Sequence, residues 1–278
     1  TNDEINSLIA EFAIEPDFFR AAMDEEESSH IDTEDYSTLV IIDMPVAETS
    51  GDNVTYSTTP LGIIITEKNV ITVCTRGNPV LDEFTDGAVK GVQTNLKTRF
   101  ILHLMLRIAT KYLQYLKQID KLSSHVEREL RKSMKNSELI QLLDIEKSLV
   151  YFSSSLKGSE ITIEKISRGR VVKLYEEDQD LLEDVLIEVR QAIEMSSIYL
   201  NILSGTMDAF ASVISNNLNI VMKVLASITL IISIPTVISS FYGMNVEGLP
   251  LPFFWFPLLL AIVSMGIAYL ILRKKDMF

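Results

Sequence analysis

The sequence has few of the residues from which catalytic and thiolate sites are built. Cys74 is the single cysteine among 278 residues, which excludes a disulfide framework or a thiolate metal site within one chain. The three histidines, His30, His103 and His125, are scattered without a common metal-ligand spacing. The sequence contains no nucleophile elbow and no glycine-rich phosphate loop. We therefore predict that the protein is not an enzyme and has no organic cofactor.

Positive charge is also in short supply. The chain carries 25 Lys and Arg against 38 Asp and Glu, a formal net charge of -13. Binding to nucleic acid is not expected, because the phosphates require a basic surface. The acidic balance is compatible with cations as ligands or cargo, and it is equally compatible with an acidic surface that only keeps the protein soluble.

Charge is absent altogether from two long stretches near the C-terminus. Residues 224–246 and 248–272 are uncharged, and Glu247 is the only charge between them. Each stretch can cross a bilayer, which takes roughly 20 residues. The sequence therefore predicts a hairpin of two membrane spans, in which the first span ends at Tyr242-Gly243-Met244-Asn245. Since a simple anchor needs no specific tip, we expect function to reside there.

These tip residues, a second span close behind them and a basic C-terminus resemble the CorA family of magnesium channels. Residues 219–225 resemble the start of the first span in that family, and residues 204–208 resemble a segment further up the same helix. The resemblance is strong over residues 170–278 and extends to the rest by general layout. It implies a funnel-like homopentamer that carries Mg²⁺, with Co²⁺ and Ni²⁺ as further candidate ions.

Residues 1–90 are expected to form a cytoplasmic α/β module. Runs of β-branched residues at 39–42, 62–65 and 70–73 predict strands, the last two joined as a hairpin. Because CorA proteins usually have strands before such a first helix, we expect part of this module to precede residue 1.

The rest of the chain has helical periodicity. We predict a cytoplasmic helical region over 91–169, in which Gly158 and Ser159 mark a turn. A stalk helix over 170–241 continues into the first span, followed by an extracytoplasmic loop over 242–252 that contains Glu247, a second span over 253–272 and a basic tail over 273–278. The predicted fold class is an α+β domain with long helices, followed by a two-helix transmembrane hairpin.

One face of the first-span helix carries polar side chains. At 100° per residue they fall within a wedge of about 120°. Lipid cannot satisfy hydroxyls and amides, so this face must meet protein or water. Several copies around an axis could enclose a channel, whereas close packing of helices, with Ser and Thr bonding their own backbone, is the alternative. The polar stripe comprises Asp208, Ser212, Ser215, Asn219, Met222, Thr229, Ser233, Thr236 and Ser240.

The chemistry of Mg²⁺ suits the tip. The ion prefers oxygen and gives up its waters reluctantly. A ring of Asn245 side chains, with Gly243 carbonyls at a helix C-terminus of partial negative charge, would hold the hydrated ion. We therefore predict that Gly243, Met244 and Asn245 form a selectivity filter, in which Gly243 permits the turn and Met244 braces it.

The family resemblance implies roles further down the helix. Thr236, Asn219 and Asp208 would line sites for the hydrated, bound metal ion. Met222 and Leu225 would form a hydrophobic gate that closes by excluding water. Ser233 departs from the bulky apolar residue of many relatives, so we expect a wider or wetter pore there.

The basic residues predict the orientation. Lys223 precedes the first span and residues 273–275 follow the second. Since positive residues stay on the cytoplasmic side, both termini should be cytoplasmic in a multi-pass protein of the plasma membrane, with Asn245 and Glu247 outside. Contact with anionic membrane lipid, contact with acidic helices and a stop-transfer flank each account for the basic tail.

In CorA proteins, cytosolic magnesium bridges neighbouring subunits and holds the channel closed. The resemblance puts Asp184 at a sensing position, with Glu183 beside it. Aligning Pro16 with the early helix of the family puts Ala21 near the partner position, so Asp24 and Glu25, a turn away, are the candidate partner ligands of a shifted or weakened metal sensor. Solvated carboxylates on a helix face are the alternative interpretation.

Two rival functions also remain. One is a related zinc transporter, although zinc-favouring relatives tend to carry Ile in place of Met244. The other is a membrane-tethered scaffold without transport.

Overall fold

The chain divides into two compact units, Thr1–Gly205 and Thr206–Phe278, and each is described by itself. The computed structural model describes residues 2–34, 37–50, 53–89, 92–133, 135–169, 172, 174–245, 248, 250–251, 253–275 and 277.

The first unit contains a four-stranded antiparallel sheet. The strands β1 (His30–Glu34), β2 (Ser37–Ser50), β3 (Asn53–Ile65) and β4 (Val70–Val73) lie in sequence order across it. Residue 65 pairs with residue 70, so the predicted hairpin between the second and third β-branched runs is confirmed. The longest pairing joins residues 38–50 of β2 to the whole of β3.

Two short helices cover one part of the sheet. Helix α1 (Asn2–Phe12) precedes α2 (Pro16–Ala22), whose Phe18 and Phe19 are buried with Leu39 of β2 in one apolar cluster. The approach is close, because a Cβ added at Gly62 would lie 2.3 Å from the Cβ of Ala22. Glycine at position 62 therefore sets how near α2 lies to β3.

Helix α3 (Pro79–Thr85) leads to two long helices, α4 (Lys97–Ser133) and α5 (Asn136–Ser167). The predicted turn at Gly158 and Ser159 is wrong, because both residues lie inside α5. A Cβ on Gly158 would sit 3.4 Å from the Cβ of Ser29, so this glycine serves a close approach between segments rather than a turn.

Helix α6 runs from Gln179 to Tyr242 and contains Pro235. It begins later than the expected residue 170, because Tyr175 is extended (φ -102°, ψ 159°) and Glu176–Asp178 form a 3-10 turn. Residues 170, 171 and 173 lie outside the described residues.

The second unit contains the last part of α6 and helix α7 (Trp255–Lys274). Within the described part of the chain, α6 and α7 are the two helices long and apolar enough to cross a membrane. The hydroxyl of Ser227 donates a hydrogen bond to the carbonyl oxygen of Met277 at 3.2 Å. The hydroxyl of Tyr242 donates to the carbonyl oxygen of Pro250 at 3.0 Å. The predicted fold class, an α+β domain with long helices followed by two apolar helices, is confirmed.

Candidate ion pathway

Helix α6 buries one face in the second unit, and this face points to α7. Ser227 is fully buried, and Ile231, Ile234 and Ile238 follow at helical spacing as half-buried residues. On α7, buried or half-buried residues recur in the same way at Ala261, Ser264, Ala268 and Leu272. The bond from Ser227 to Met277 and the contact between the rings of Tyr242 and Phe256 mark the two ends of this antiparallel pair.

The polar stripe lies on the other side of α6. At 100° per residue, its members from Met222 to Ser240 point away from the face that packs on α7. All of the predicted pore and gate residues are exposed in the single chain: Asp208, Ser212, Ser215, Asn219, Met222, Leu225, Thr229, Ser233, Thr236 and Ser240. Helix α7 therefore leaves the stripe free to meet water or another protein surface.

Several stripe hydroxyls donate their hydrogen to the backbone of their own helix. Thr229 donates to the carbonyl of residue 225 at 2.8 Å, Ser233 to residue 230 at 2.8 Å, Thr236 to residue 232 at 3.2 Å and Ser212 to residue 208 at 3.0 Å. This is the backbone bonding named above as the alternative, but it does not use up the hydroxyl oxygen. Each oxygen keeps lone pairs that can accept a hydrogen bond from outside the helix.

The tip follows the end of α6 without a left-handed residue at Gly243. The backbone amide of Gly243 donates to the carbonyl of Ser239 at 2.9 Å, and the backbone amide of Met244 donates to the carbonyl of Phe241 at 3.4 Å. Gly243 is absent from the glycines with positive φ, but it lies at the turn that follows α6, and its role in permitting that turn stays a prediction. A Cβ at this position would lie 3.2 Å from the Ser239 oxygen, so glycine leaves room around a carbonyl at the helix end.

The remaining tip residues are open to solvent in the single chain. Met244 is 52% exposed, and Asn245 is exposed as well. The bracing role of Met244 stays a prediction. A shallow depression of 280 Å³ connects Met244 to Thr236 and Ser240 of the stripe. Glu247 lies outside the described residues.

The predicted regulatory carboxylates are not brought together within one chain. Glu183 and Asp184 are exposed on α6, whereas Glu25 accepts hydrogen bonds from Arg76 at 3.3 and 3.0 Å. Asp24 accepts a hydrogen bond from the amide of residue 26 at 3.0 Å. Among the residues with described positions, no group of three or more His, Cys, Asp and Glu side chains is arranged to hold a metal ion.

Sequence reasoning missed the residues that fix the hairpin. Ser227 and Tyr242 anchor the two ends of the α6 and α7 pair, and neither was singled out for this role. Ser227 carried a usable signal, because it is a hydroxyl residue within an apolar run and off the stripe. Such a residue needs a partner in lipid.

The fold and the pathway together define a class of membrane protein: a large α+β domain followed by two apolar helices, the first of which carries a polar stripe and a Gly-Met-Asn tip. A model of the CorA-like Mg²⁺ transporter protein family matches residues 1–274, and the chain belongs to this family. The family prediction is thus confirmed. The family is one of transporters rather than of enzymes, and it places the chain in a membrane.

Known relatives agree with this assignment. The cobalt/magnesium transport protein CorA of Methanocaldococcus jannaschii is 25% identical over 287 residues, which cover 99% of this chain and 87% of the relative. The protein of the same name from Thermotoga maritima is 25% identical over 178 residues, which cover 63% of this chain and 51% of the relative. The complete structure of the CorA magnesium transporter from M. jannaschii shares the fold, with a TM-score of 0.81 and 22% identity over 99% of this chain and 86% of that one.

Proposed function

We propose that the chain forms a homopentamer whose α6 helices surround a water-filled path for Mg²⁺ across the plasma membrane, with Co²⁺ or Ni²⁺ as further cargo. The observation that carries this proposal is the exposed polar stripe on the side of α6 away from α7. Hydroxyls and amides are costly against lipid, and copies placed around an axis would give them water instead. The number five rests on the family resemblance.

The stripe suits a cation that keeps its water. The hydroxyls of Thr229, Ser233 and Thr236 donate inward to carbonyls, so the stripe offers acceptor oxygens outward. The waters around Mg²⁺ point their hydrogens away from the ion and therefore donate to such oxygens. The amide oxygen of Asn245, near the negative end of α6, would hold the same hydrated ion at the mouth.

Closure would occur lower on the same helix. Met222 belongs to the stripe and Leu225 lies close to its edge, between Asn219 and Thr229 along α6, and the two are 55% and 56% exposed. Rings of these apolar side chains would exclude water and stop conduction. A serine at position 233 leaves the upper part of this constriction more polar than a bulky apolar side chain would.

Orientation and regulation complete the proposal. Lys223 and the basic residues after α7 favour cytoplasmic termini, so influx would begin at Asn245. Cytosolic Mg²⁺ bound between subunits at Asp184 and Glu183 would hold the pore closed. Glu25 is already paired with Arg76, so we assign it and Asp24 a smaller share of this site.

Ion uptake by the full chain in liposomes tests the proposal. We expect Mg²⁺ uptake by the wild-type protein and at least tenfold slower uptake by Asn245→Ala. Asn217→Ala is the matched control, because Asn217 is an exposed asparagine of α6 off the stripe and should transport at the wild-type rate. Wild-type uptake no faster than that of protein-free liposomes would favour a scaffold without a pore, and uptake of Zn²⁺ without Mg²⁺ would favour a zinc transporter. Equal Mg²⁺ uptake by Asn245→Ala and the wild type would refute the role of Asn245 at the mouth.

A further inference from the structure

The first unit contains a cavity lined by several oxygen-bearing side chains. This cavity of 570 Å³ opens between the β2–β3 hairpin, helix α5 and residues 25–28, which follow α2. Asp43 of β2, Thr58 of β3 and Ser155 of α5 contribute to its lining. The described lining residues include no thiol and no imidazole. The side chains that line the cavity therefore offer carboxylate and hydroxyl oxygens, beside the guanidinium of Arg76.

Asp43 is the unusual group in this cavity. Asp43 is only 9% exposed, and this burial raises the pKa of its carboxyl. Among the described residues, no Lys, Arg or His forms an ion pair with it. A buried carboxylate without a positive partner is costly, so a cation or a proton has to compensate its charge.

The hydrogen bonds around Asp43 leave much of its acceptor capacity free. Ser155 is its side-chain hydrogen-bond partner, and the same hydroxyl lies 3.2 Å from Oγ1 of Thr58, to which it donates. A hydroxyl has a single hydrogen and cannot donate fully to both. The hydroxyl of Tyr112 donates to the backbone carbonyl of Asp43 at 3.2 Å and so does not help the carboxylate.

The rim of the cavity is acidic. Four glutamates line it, at positions 25, 26, 27 and 48, against one guanidinium, that of Arg76. Arg76 is engaged with Glu25 at 3.0 Å and with Glu48 at 2.5 Å, so its charge is already balanced. The excess of carboxylate at the mouth would raise the local concentration of cations.

We propose that this cavity binds a hard divalent cation of the Mg²⁺ and Mn²⁺ class within a single subunit. Asp43 supplies the charged ligand, and the hydroxyl oxygens of Thr58 and Ser155 bind the ion or its water. One or two carboxylates with retained water are the usual protein ligands of Mg²⁺. The volume of the cavity is ample for a hydrated ion, since one water occupies about 30 Å³. The site does not depend on a pore or on contacts between subunits.

Counting bound Mn²⁺ per chain by electron paramagnetic resonance, on the full-length protein in detergent, tests this site. We expect Asp43→Asn to bind one Mn²⁺ fewer per chain than the wild type, and Mg²⁺ to displace that ion. Asp32→Asn is the matched control, because Asp32 is an exposed aspartate of the neighbouring strand β1 and does not line the cavity. An unchanged count in Asp43→Asn would overturn the proposal and indicate that the carboxyl is protonated.

A second variant keeps the test decisive if Asp43→Asn does not fold. Thr58→Val removes a hydroxyl at nearly constant volume, and we expect it to weaken this Mn²⁺ site about tenfold. Wild-type affinity in Thr58→Val, together with an unchanged thermal midpoint of the wild type on adding Mn²⁺, would also overturn the proposal. The Mn²⁺ count is independent of ion uptake, so failure of this site and failure of the proposed pore are distinguishable.

Discussion

The rings of Tyr242 and Phe256 lie 6.1 Å apart, and this contact joins the end of α6 to the start of α7 directly beside the Gly-Met-Asn tip. The hydroxyl of Tyr242 also reaches across to the carbonyl of Pro250 at 3.0 Å. The position of Asn245 therefore depends on a tyrosine that holds both sides of the link between the helices.

Removing that hydroxyl should disturb transport without unfolding the protein. In Tyr242→Phe the ring contact remains, but a hydrogen bond of about 1 kcal/mol is lost, which is a factor of roughly five in the population of the ordered tip. We expect Mg²⁺ uptake in liposomes to fall by about that factor. Tyr151→Phe, an exposed tyrosine of α5, serves as the control, and equal uptake by both variants would show that the tip does not need this bond.

The stripe makes a separate prediction. Thr229→Val and Thr236→Val keep the shape of each side chain but remove an acceptor oxygen from the proposed pore. We expect the double variant to take up Mg²⁺ roughly tenfold more slowly, since a hydrated ion would lose hydrogen bonds along the path. Ser264→Ala on α7 changes a hydroxyl on the face toward α6 and should leave uptake near the wild-type rate. Normal uptake by the double variant would mean that these hydroxyls serve helix packing alone.

Regulation by internal Mg²⁺ can be measured through protease protection. If Asp184 holds a bridging ion between subunits, millimolar Mg²⁺ should protect the wild-type protein, and Asp184→Ala should require roughly tenfold more Mg²⁺ for the same protection. Asp120→Ala, an exposed aspartate of α4, should behave like the wild type. Identical protection curves for all three proteins would contradict the proposed sensor.

The packing of α2 on the sheet gives a prediction for stability. A Cβ at Gly62 would lie 2.3 Å from that of Ala22, so Gly62→Ala should lower the thermal midpoint, at a cost of about 1–3 kcal/mol for overpacking. Adding Ala22→Gly should restore much of the loss. Gly77→Ala is the control, because a Cβ there meets nothing within 4 Å. A double variant no more stable than Gly62→Ala would refute the contact as the cause.

The two apolar helices and the strands could be predicted from the sequence, because the patterns that indicate them are local. A long run without charge has few alternatives to a membrane span, and the β-branched runs at 39–42 and 62–65 fall inside β2 and β3. The Gly-Met-Asn tip added a family resemblance, which the match over residues 1–274 confirmed.

The errors came from tertiary contacts that local patterns do not encode. Gly158 indicates a turn on local grounds, yet it lies inside α5 where Ser29 approaches closely. The burial of Asp43 was equally hidden, because an aspartate within a strand gives no sign in the sequence of which neighbours surround it.

The most direct test of the account is a map of the full-length chain assembled in a lipid bilayer disc. We predict five copies arranged so that Asn219, Thr229 and Thr236 of every α6 face one axial, water-filled path that ends at Asn245. A map in which these side chains are buried against a neighbouring helix or face lipid, with no axial path, would contradict it.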